Sequence, residues 1–153
     1  MGTEMTLNAK ATGVEGTKSL TRHLPTAARF LMGLMFFVFG LNGFLNFIPP
    51  PTEAQPEGAV AFSLAMMKSG YLFQLVKGTE VVVGALLLAN RFVPLALALI
   101  APVVVNIVAF HAFLLPSGMV MTFVVLALEL YLAWAYRDAF RGMLVMRAAP
   151  RSK

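Results

Sequence analysis

Four long apolar stretches constrain the fold of this 153-residue chain more than any other feature. They cover residues 30–48, 71–90, 92–115 and 118–136. Each is close to the roughly 20 residues that an α-helix needs to cross about 30 Å of hydrocarbon. Hydrophobic residues make up 59% of the chain and charged residues 12%, against about 45–50% and about 25% in ordinary soluble domains. The sequence therefore predicts a protein that contacts the lipid bilayer.

Short connections between the later stretches predict how the helices are arranged. Arg91 alone separates the second stretch from the third, and the run from Pro116 to Gly118 separates the third from the fourth. Connections this short make consecutive helices antiparallel neighbours. The predicted fold class is all-α, an integral membrane four-helix bundle in up-down-up-down order.

The first connection is longer and contains its own apolar segment. Three prolines from Pro49 to Pro51 end the first helix, and residues 58–68 predict a short helix that Ser69 and Gly70 terminate. This helix is too short to span the membrane. We expect a short outer interfacial helix between the first and second spans, and a lid over a polar cavity stays open as the alternative.

The distribution of basic residues predicts the orientation. Of the 12 Lys and Arg residues, all but Lys68 and Lys77 lie on the side of the termini, which the positive-inside rule makes cytoplasmic. We expect a disordered cytoplasmic tail over 1–26, a four-span membrane domain over 27–141 and a basic cytoplasmic tail over 142–153. The net charge of +5 is then explained by membrane anchoring, without nucleic acid as a partner.

Ionisable side chains inside the predicted spans are the candidates for function, because a charge at the bilayer centre costs several kcal/mol. Counting about 1.5 Å per residue from the outer boundary places Lys77 roughly 10 Å deep, Glu80 about 15 Å and Glu129 about 16 Å. We predict Glu80 and Glu129 as proton-handling, catalytic carboxylates, since such groups cluster at functional sites.

Polar residues at similar depths predict a ligand site around these carboxylates. Asn42 and Asn106 lie roughly 9 Å and 13 Å deep, and Asn46 and His111 lie nearer the outer boundary. With Lys77, they predict an outward-facing polar pocket. Asn106 and His111 cannot share one narrow helix face, so we expect one of them to face a different neighbour.

A structural interpretation of the same residues stays open beside the functional one. Lys77 can pair with Glu80 on its own helix, and Glu129 can pair with Asn106 or Thr122. Such pairs would only set the register of the helices, because buried ion pairs are weak indicators of anything beyond specificity.

Several chemistries are excluded by composition. The chain has no cysteine, which removes disulfides, thiolate nucleophiles and Cys-ligated clusters. The two histidines, His23 and His111, lie on opposite sides of the predicted membrane, so a pair of haem ligands is not expected. The 10 methionines show no repeated ligand spacing. We predict no metal site and no covalently bound cofactor.

Roughly residues 27–141 resemble the DoxX-like family of small bacterial inner-membrane proteins. The most specific features are the pattern from Arg29 to Gly33 at the first span and the pattern from Glu80 to Gly84 on the second. The stretches that carry the rest of the likeness are Gly40 to Pro49, Lys77 to Leu88, and Asn106 to His111 before Pro116. Where many members carry a lysine near the outer end of the first span, this chain has Asn46 and Phe47.

The resemblance implies a four-helix bundle in the bacterial cytoplasmic (inner) membrane and, for some relatives, quinone-dependent redox chemistry. Three functional classes stay open. The first is a subunit of, or accessory to, a quinone-linked membrane redox system, with another redox subunit as partner. The second is a small-solute or proton carrier acting as a homo-oligomer, and the third is a non-catalytic scaffold or assembly factor. Whether the chain is an enzyme is left open.

Overall fold

The computed structural model describes the backbone of residues 2–143 and the side chains of residues 23–143. Within this part the chain is all-α, with six α-helices and no strand. The helices are α1 (Gly2–Leu45), α2 (Glu57–Lys68), α3 (Leu72–Leu88), α4 (Val93–Phe113), α5 (Met119–Ala135) and α6 (Arg137–Phe140), with a 3₁₀ turn at Pro116–Gly118 between α4 and α5.

Three segments are long and apolar enough to cross a membrane by themselves: His23–Leu45, Val93–Phe113 and Pro116–Ala135. A fourth exists if α2 and α3 are taken as one broken span, whose two helices meet at 90°. The chain is therefore a small multi-pass helical membrane protein with three or four candidate spans among its described residues. The predicted second span, 71–90, is a helix of only 17 residues.

The carboxyl end of α3 is shortened by a helix-terminating turn. Asn90 adopts the left-handed conformation with φ of 54°, its N–H donates to the Leu87 carbonyl at 3.2 Å, and the N–H of Arg91 donates to the Leu86 carbonyl at 2.9 Å. This pair of hydrogen bonds is the Schellman motif that satisfies the last carbonyls of a helix. The chain therefore reverses within a few residues before α4 begins.

The right-angle bend between α2 and α3 is built by Ser69 and Gly70. Gly70 has φ of 81°, a left-handed conformation that only glycine adopts without strain. The Ser69 hydroxyl oxygen accepts the Leu72 N–H at 3.0 Å, which caps the first turn of α3. The predicted short helix over 58–68 is confirmed as α2, one residue longer at its start.

The predicted tails lie mostly outside the fully described residues. Helix α1 is assigned from Gly2, well before the expected start of the membrane domain at residue 27, and residues 23–26 belong to it. The side chains of residues 1–22, and all of 144–153, lie outside the described part. The division into tails and membrane domain stays a prediction.

Helices α1, α3, α4 and α5 form a closed ring, in which α1 contacts α3 and α5, and α4 contacts the same two helices. The core inside this ring is mostly apolar, and α5 adds the buried polar residues Thr122 and Glu129. Its fully buried large side chains come from every member of the ring: Met32, Leu87, Leu97, Ile100, Leu132, Val83 and Val104. We expect burial of this apolar set to hold the helices together by packing, because lipid is as apolar as the core.

Glycines bring α1 and α3 into close contact. A Cβ atom on Gly40 would lie 2.8 Å from the Val81 nitrogen, and one on Gly33 would lie 3.0 Å from the Leu87 Cβ. A Cβ atom on Gly84 would overlap the backbone of Phe37. Small residues that let backbones approach are typical of helix pairs in membranes. We call this contact the α1–α3 seam.

Candidate functional site

A cavity of about 270 Å³ lies next to the α1–α3 seam, between α2, α3 and α4. We call it the cleft. Its polar lining residues are Ser63, Lys77, Glu80, Asn106 and His111. Its apolar lining residues are Phe62, Met66, Met67, Phe73, Val76, Val103, Ile107 and Phe110. The cleft is thus an apolar chamber with a few polar groups, as small-molecule sites usually are.

Helix α2 forms one wall of the cleft. Ala59 is fully buried, while Val60 and Leu64 of the same helix are exposed. The side of α2 that carries Ser63 and Met66 faces the cleft, with Phe62 and Met67 at its exposed edges, and an apolar flank remains uncovered. The sequence left two interpretations of this helix open, an interfacial helix and a lid. The two are compatible, because α2 lies at the edge of the bundle and also covers the cleft.

The charged pair of the cleft lies on α3. Lys77 Nζ donates to Glu80 Oε2 at 2.8 Å, one turn apart as helix neighbours must be. The Glu80 side chain is 5% exposed and that of Lys77 is 23% exposed. The ammonium has three protons, so this hydrogen bond leaves donors that can contact a ligand.

The α1–α3 seam supports the charged pair from behind. A Cβ atom on Gly43 would lie 2.7 Å from Lys77 Cδ, and one on Gly40 would lie 3.0 Å from Glu80 Cβ. The aliphatic stem of Lys77 therefore lies against bare backbone of α1. Sequence reasoning did not include Gly43 in the site.

Asn106 and His111 both border the cleft, although five residues on a helix are about 140° apart around its axis. The cleft therefore extends part of the way around α4. His111 Nδ1 lies 3.0 Å from the Leu115 carbonyl oxygen, which can only accept, so Nδ1 carries the hydrogen. A Cβ atom on Gly118 would overlap the imidazole, and this close packing fixes the ring.

Asn42 and Asn46 are not among the residues that line the cleft. The Asn42 side-chain oxygen accepts the Ile48 N–H at 2.7 Å, and Asn46 has φ of 50° at the end of α1. The Asn46 N–H donates to the Asn42 carbonyl at 2.9 Å, the hydrogen bond of a left-handed helix terminus. In the structure these two residues end the first helix.

Glu129 also lies apart from the cleft lining. It is a buried residue of α5, 7% exposed, on the same face as Thr122, Val125 and Leu132. Its Oε2 atom has no hydrogen-bond partner among the described residues. The Thr122 hydroxyl donates instead to the Gly118 carbonyl at 3.1 Å. The structure therefore separates the two carboxylates: Glu80 is paired in the cleft, and Glu129 has an unpartnered oxygen in the core.

Arg29 is the buried cation that sequence reasoning left among the cytoplasmic anchors. It is 8% exposed, and its Nη1 donates to the Leu87 carbonyl and lies 3.4 Å from the Leu88 carbonyl oxygen. A cation at the carboxyl end of a helix is favourable. Arg29 thus joins α1 to the carboxyl end of α3, and its position just before an apolar span was a signal for it in the sequence.

The cleft and the ring of helices define a small multi-pass membrane protein with a lateral amphipathic cavity. No family model, no curated protein and no solved structure matches the chain. The chemistry available to the cleft is therefore argued from its own residues: a paired carboxylate, an ammonium with spare donors, an amide, an imidazole and several aromatic rings.

Proposed function

We propose that the chain is a four-span protein of the bacterial inner membrane, with α1, α3, α4 and α5 as an up-down-up-down bundle and both termini in the cytoplasm. The closed ring of contacts among these helices supports four spans. The excess of basic residues beside the termini and at Arg91 supports the orientation. The resemblance to DoxX-like proteins points the same way.

Single-cysteine variants test this topology. The wild-type chain itself gives no labelling, because it has no cysteine. The variant Ser117→Cys should react with a membrane-impermeant maleimide added outside intact spheroplasts. Arg91→Cys should react only after the membrane is permeabilised. The opposite pattern, or labelling of both from one side, would overturn the proposed arrangement of spans.

We further propose that the cleft binds the ring of a quinone, as a subunit of or accessory to a quinone-linked redox system. The observation that carries this proposal is the Lys77–Glu80 pair at 2.8 Å in a chamber whose other walls include Phe62 and Phe110. Those two aromatic rings lie 5.6 Å apart. The volume of about 270 Å³ is just below the roughly 300–1,000 Å³ of sites for drug-sized ligands, which suits one small ring.

Each polar group has a defined task in this proposal. The free N–H donors of Lys77 and the amide of Asn106 would hydrogen-bond the ring carbonyls. Glu80 would take up or release the proton that accompanies a change in the redox state of the ring, and His111 would contribute a further polar contact at the rim. Electrons would come from a partner subunit, because the chain has no recognisable electron-carrying motif.

Glu129 enters this proposal separately. Its unpartnered oxygen supports a second proton-handling group in the bundle, as the sequence predicted, but outside the cleft lining. If Glu129 handles a proton, the variant Glu129→Gln should reduce quinone-dependent turnover of the redox complex and leave the affinity of the cleft for quinone unchanged. A lower affinity would instead indicate that Glu129 contacts the ligand.

Quinone-dependent thermal stabilisation in nanodiscs tests the cleft. A ligand at 100 times its Kd stabilises a protein by about 2.7 kcal/mol, so the wild-type chain should show a clear rise in Tm with decylubiquinone. The double variant Lys77→Met, Glu80→Gln removes both charges together and should lose the shift. Gln74→Leu, on the same helix but outside the cleft lining, should keep it.

The scaffold interpretation is the second candidate, and a specific observation favours it. Asn42, Asn46 and Arg29, three of the most conspicuous polar residues near the spans, all make contacts that end or join helices. Absence of any quinone-dependent shift in the wild-type chain would favour this candidate and reject the quinone site.

A further inference from the structure

The cleft continues into a second cavity of about 230 Å³. The two share five lining residues: Phe62, Met66, Val76, Val103 and Asn106. The second cavity adds Leu72 and Pro102 and contains none of Lys77, Glu80 and His111. The lining of the two joined cavities is therefore charged at the end with Lys77 and Glu80 and apolar at the end with Leu72 and Pro102.

The apolar end opens on the surface of the bundle. Leu72, in the first turn of α3, is 36% exposed, and Pro102, in the middle of α4, is also exposed. Pro102 lies about 16 Å from the outer end of α4 by the rise of a helix. In the proposed orientation, the exposed surface between these two residues runs from the outer boundary of the hydrocarbon at Leu72 to mid-membrane at Pro102.

We infer that the ligand of the cleft is an amphiphile with a single hydrocarbon tail, which enters sideways from the bilayer and leaves its tail between Leu72 and Pro102. The head group occupies the chamber of Lys77 and Glu80, and the tail follows the shared apolar walls outwards. This inference rests on the proposed function for the identity of the head group. It adds the route, the tail and the residues that select a tailed molecule.

A tail in this channel contributes to affinity in a predictable way. Because the tail leaves lipid that is as apolar as the channel, its contribution comes from packing and not from transfer out of water. A bulky side chain at the opening overlaps the tail and should raise the Kd of a tailed ligand about tenfold, which is about 1.4 kcal/mol. It should leave a ligand without a tail unaffected.

Two quinones and two tryptophan variants test the inference. The ligands are decylubiquinone and the same ring without its decyl tail, each titrated in nanodiscs by thermal shift. Leu72→Trp should raise the Kd of decylubiquinone about tenfold and leave that of the tail-free ring unchanged. Leu75→Trp is the matched control, because Leu75 is exposed on the same helix but lines a different groove.

A second variant keeps the test valid if Leu72→Trp fails to fold. Leu72→Cys folded first and then alkylated with benzyl maleimide places a similar obstacle at the opening, and the absence of other cysteines makes the reaction specific. It should discriminate between the two ligands in the same way.

The outcomes separate the two proposals. If the wild-type chain binds neither quinone, the proposed function fails. If it binds both but the obstacle at position 72 weakens both equally, or neither, the lateral tail channel is wrong while the quinone site stands.

Discussion

The α1–α3 seam and the adjoining cleft differ in how they treat polar groups. On the α1–α3 seam, glycines bring backbones together and Arg29 donates to the Leu87 carbonyl of the facing helix end. On the cleft side, α2 and α4 leave a cavity of about 270 Å³ that contains the amide of Asn106 and the spare donors of Lys77. A polar residue in a span is therefore informative about function only once its side of the helix is known.

The end of α1 shows that conspicuous polar residues can have a structural task. Asn42 and Asn46 look like ligand-binding amides in the sequence, and in the structure their hydrogen bonds complete the end of α1. The cleft shows the reverse, because Phe62 and Phe110 look like ordinary lipid-facing residues and line the candidate site. The predictions below use this contrast, from the largest effect to the smallest.

Exchange of a seam glycine should have the largest effect. Gly84→Val would place side-chain atoms on the Phe37 backbone, and overpacking of this kind costs about 3 kcal/mol. Gly78→Val, on the same helix with nothing within 4 Å of its Cβ position, should leave the Tm almost unchanged. Equal Tm values for the two variants would contradict the close seam.

Removal of the Arg29 contact should be the next largest. Arg29→Met leaves the Leu87 carbonyl without its side-chain donor, and loss of a buried partner costs about 1–3 kcal/mol. Arg91→Met, at an exposed position of the neighbouring turn, is the control. A loss of stability that is no larger for Arg29→Met than for Arg91→Met would show that the helix ends are not joined in this way.

The two buried carboxylates should respond in opposite directions. Glu80→Leu leaves Lys77 without its partner in the cleft and should destabilise the bundle by about 1–3 kcal/mol. Glu129→Leu removes an oxygen that has no hydrogen bond to any described residue and should leave stability unchanged or raise it. Thermal unfolding of both variants in the same nanodiscs compares them directly, and a large loss for Glu129→Leu would reveal a partner of that carboxylate.

The outer cap of α1 should give the smallest effect. Asn42→Ala removes the hydrogen bond to the Ile48 N–H, which contributes about 1 kcal/mol at most. Quinone affinity should stay at the wild-type value, because Asn42 is outside the cleft lining. A measurable loss of affinity with unchanged Tm would instead place Asn42 at the ligand.

Hydropathy and the positions of proline and glycine predicted much of the fold. The apolar stretches, the short helix α2 and the turn near Arg91 follow from length, proline and glycine signals in the sequence. The right-angle bend at Ser69 and Gly70 and the early end of α3 did not, because both depend on left-handed backbone conformations at Gly70 and Asn90. Such local geometry leaves little trace in hydropathy.

The candidate site was predicted in part, for a related reason. Lys77 and Glu80 are one turn apart, and this spacing alone indicates their pairing. Depth alone could not separate Glu129 from Glu80, because depth along a span says nothing about which neighbour a side chain faces. The same limit explains why Gly43 was left out, since its contact with Lys77 depends on how α1 and α3 pack.

Ligand protection of a single cysteine in the cleft tests the central claim most directly. Ser63→Cys places a thiol in the cleft wall, and Ser117→Cys places one at an exposed site outside the cleft lining. Decylubiquinone should slow maleimide labelling of Ser63→Cys and leave that of Ser117→Cys unchanged. Equal labelling rates of Ser63→Cys with and without saturating quinone would contradict the assignment of the cleft as the ligand site.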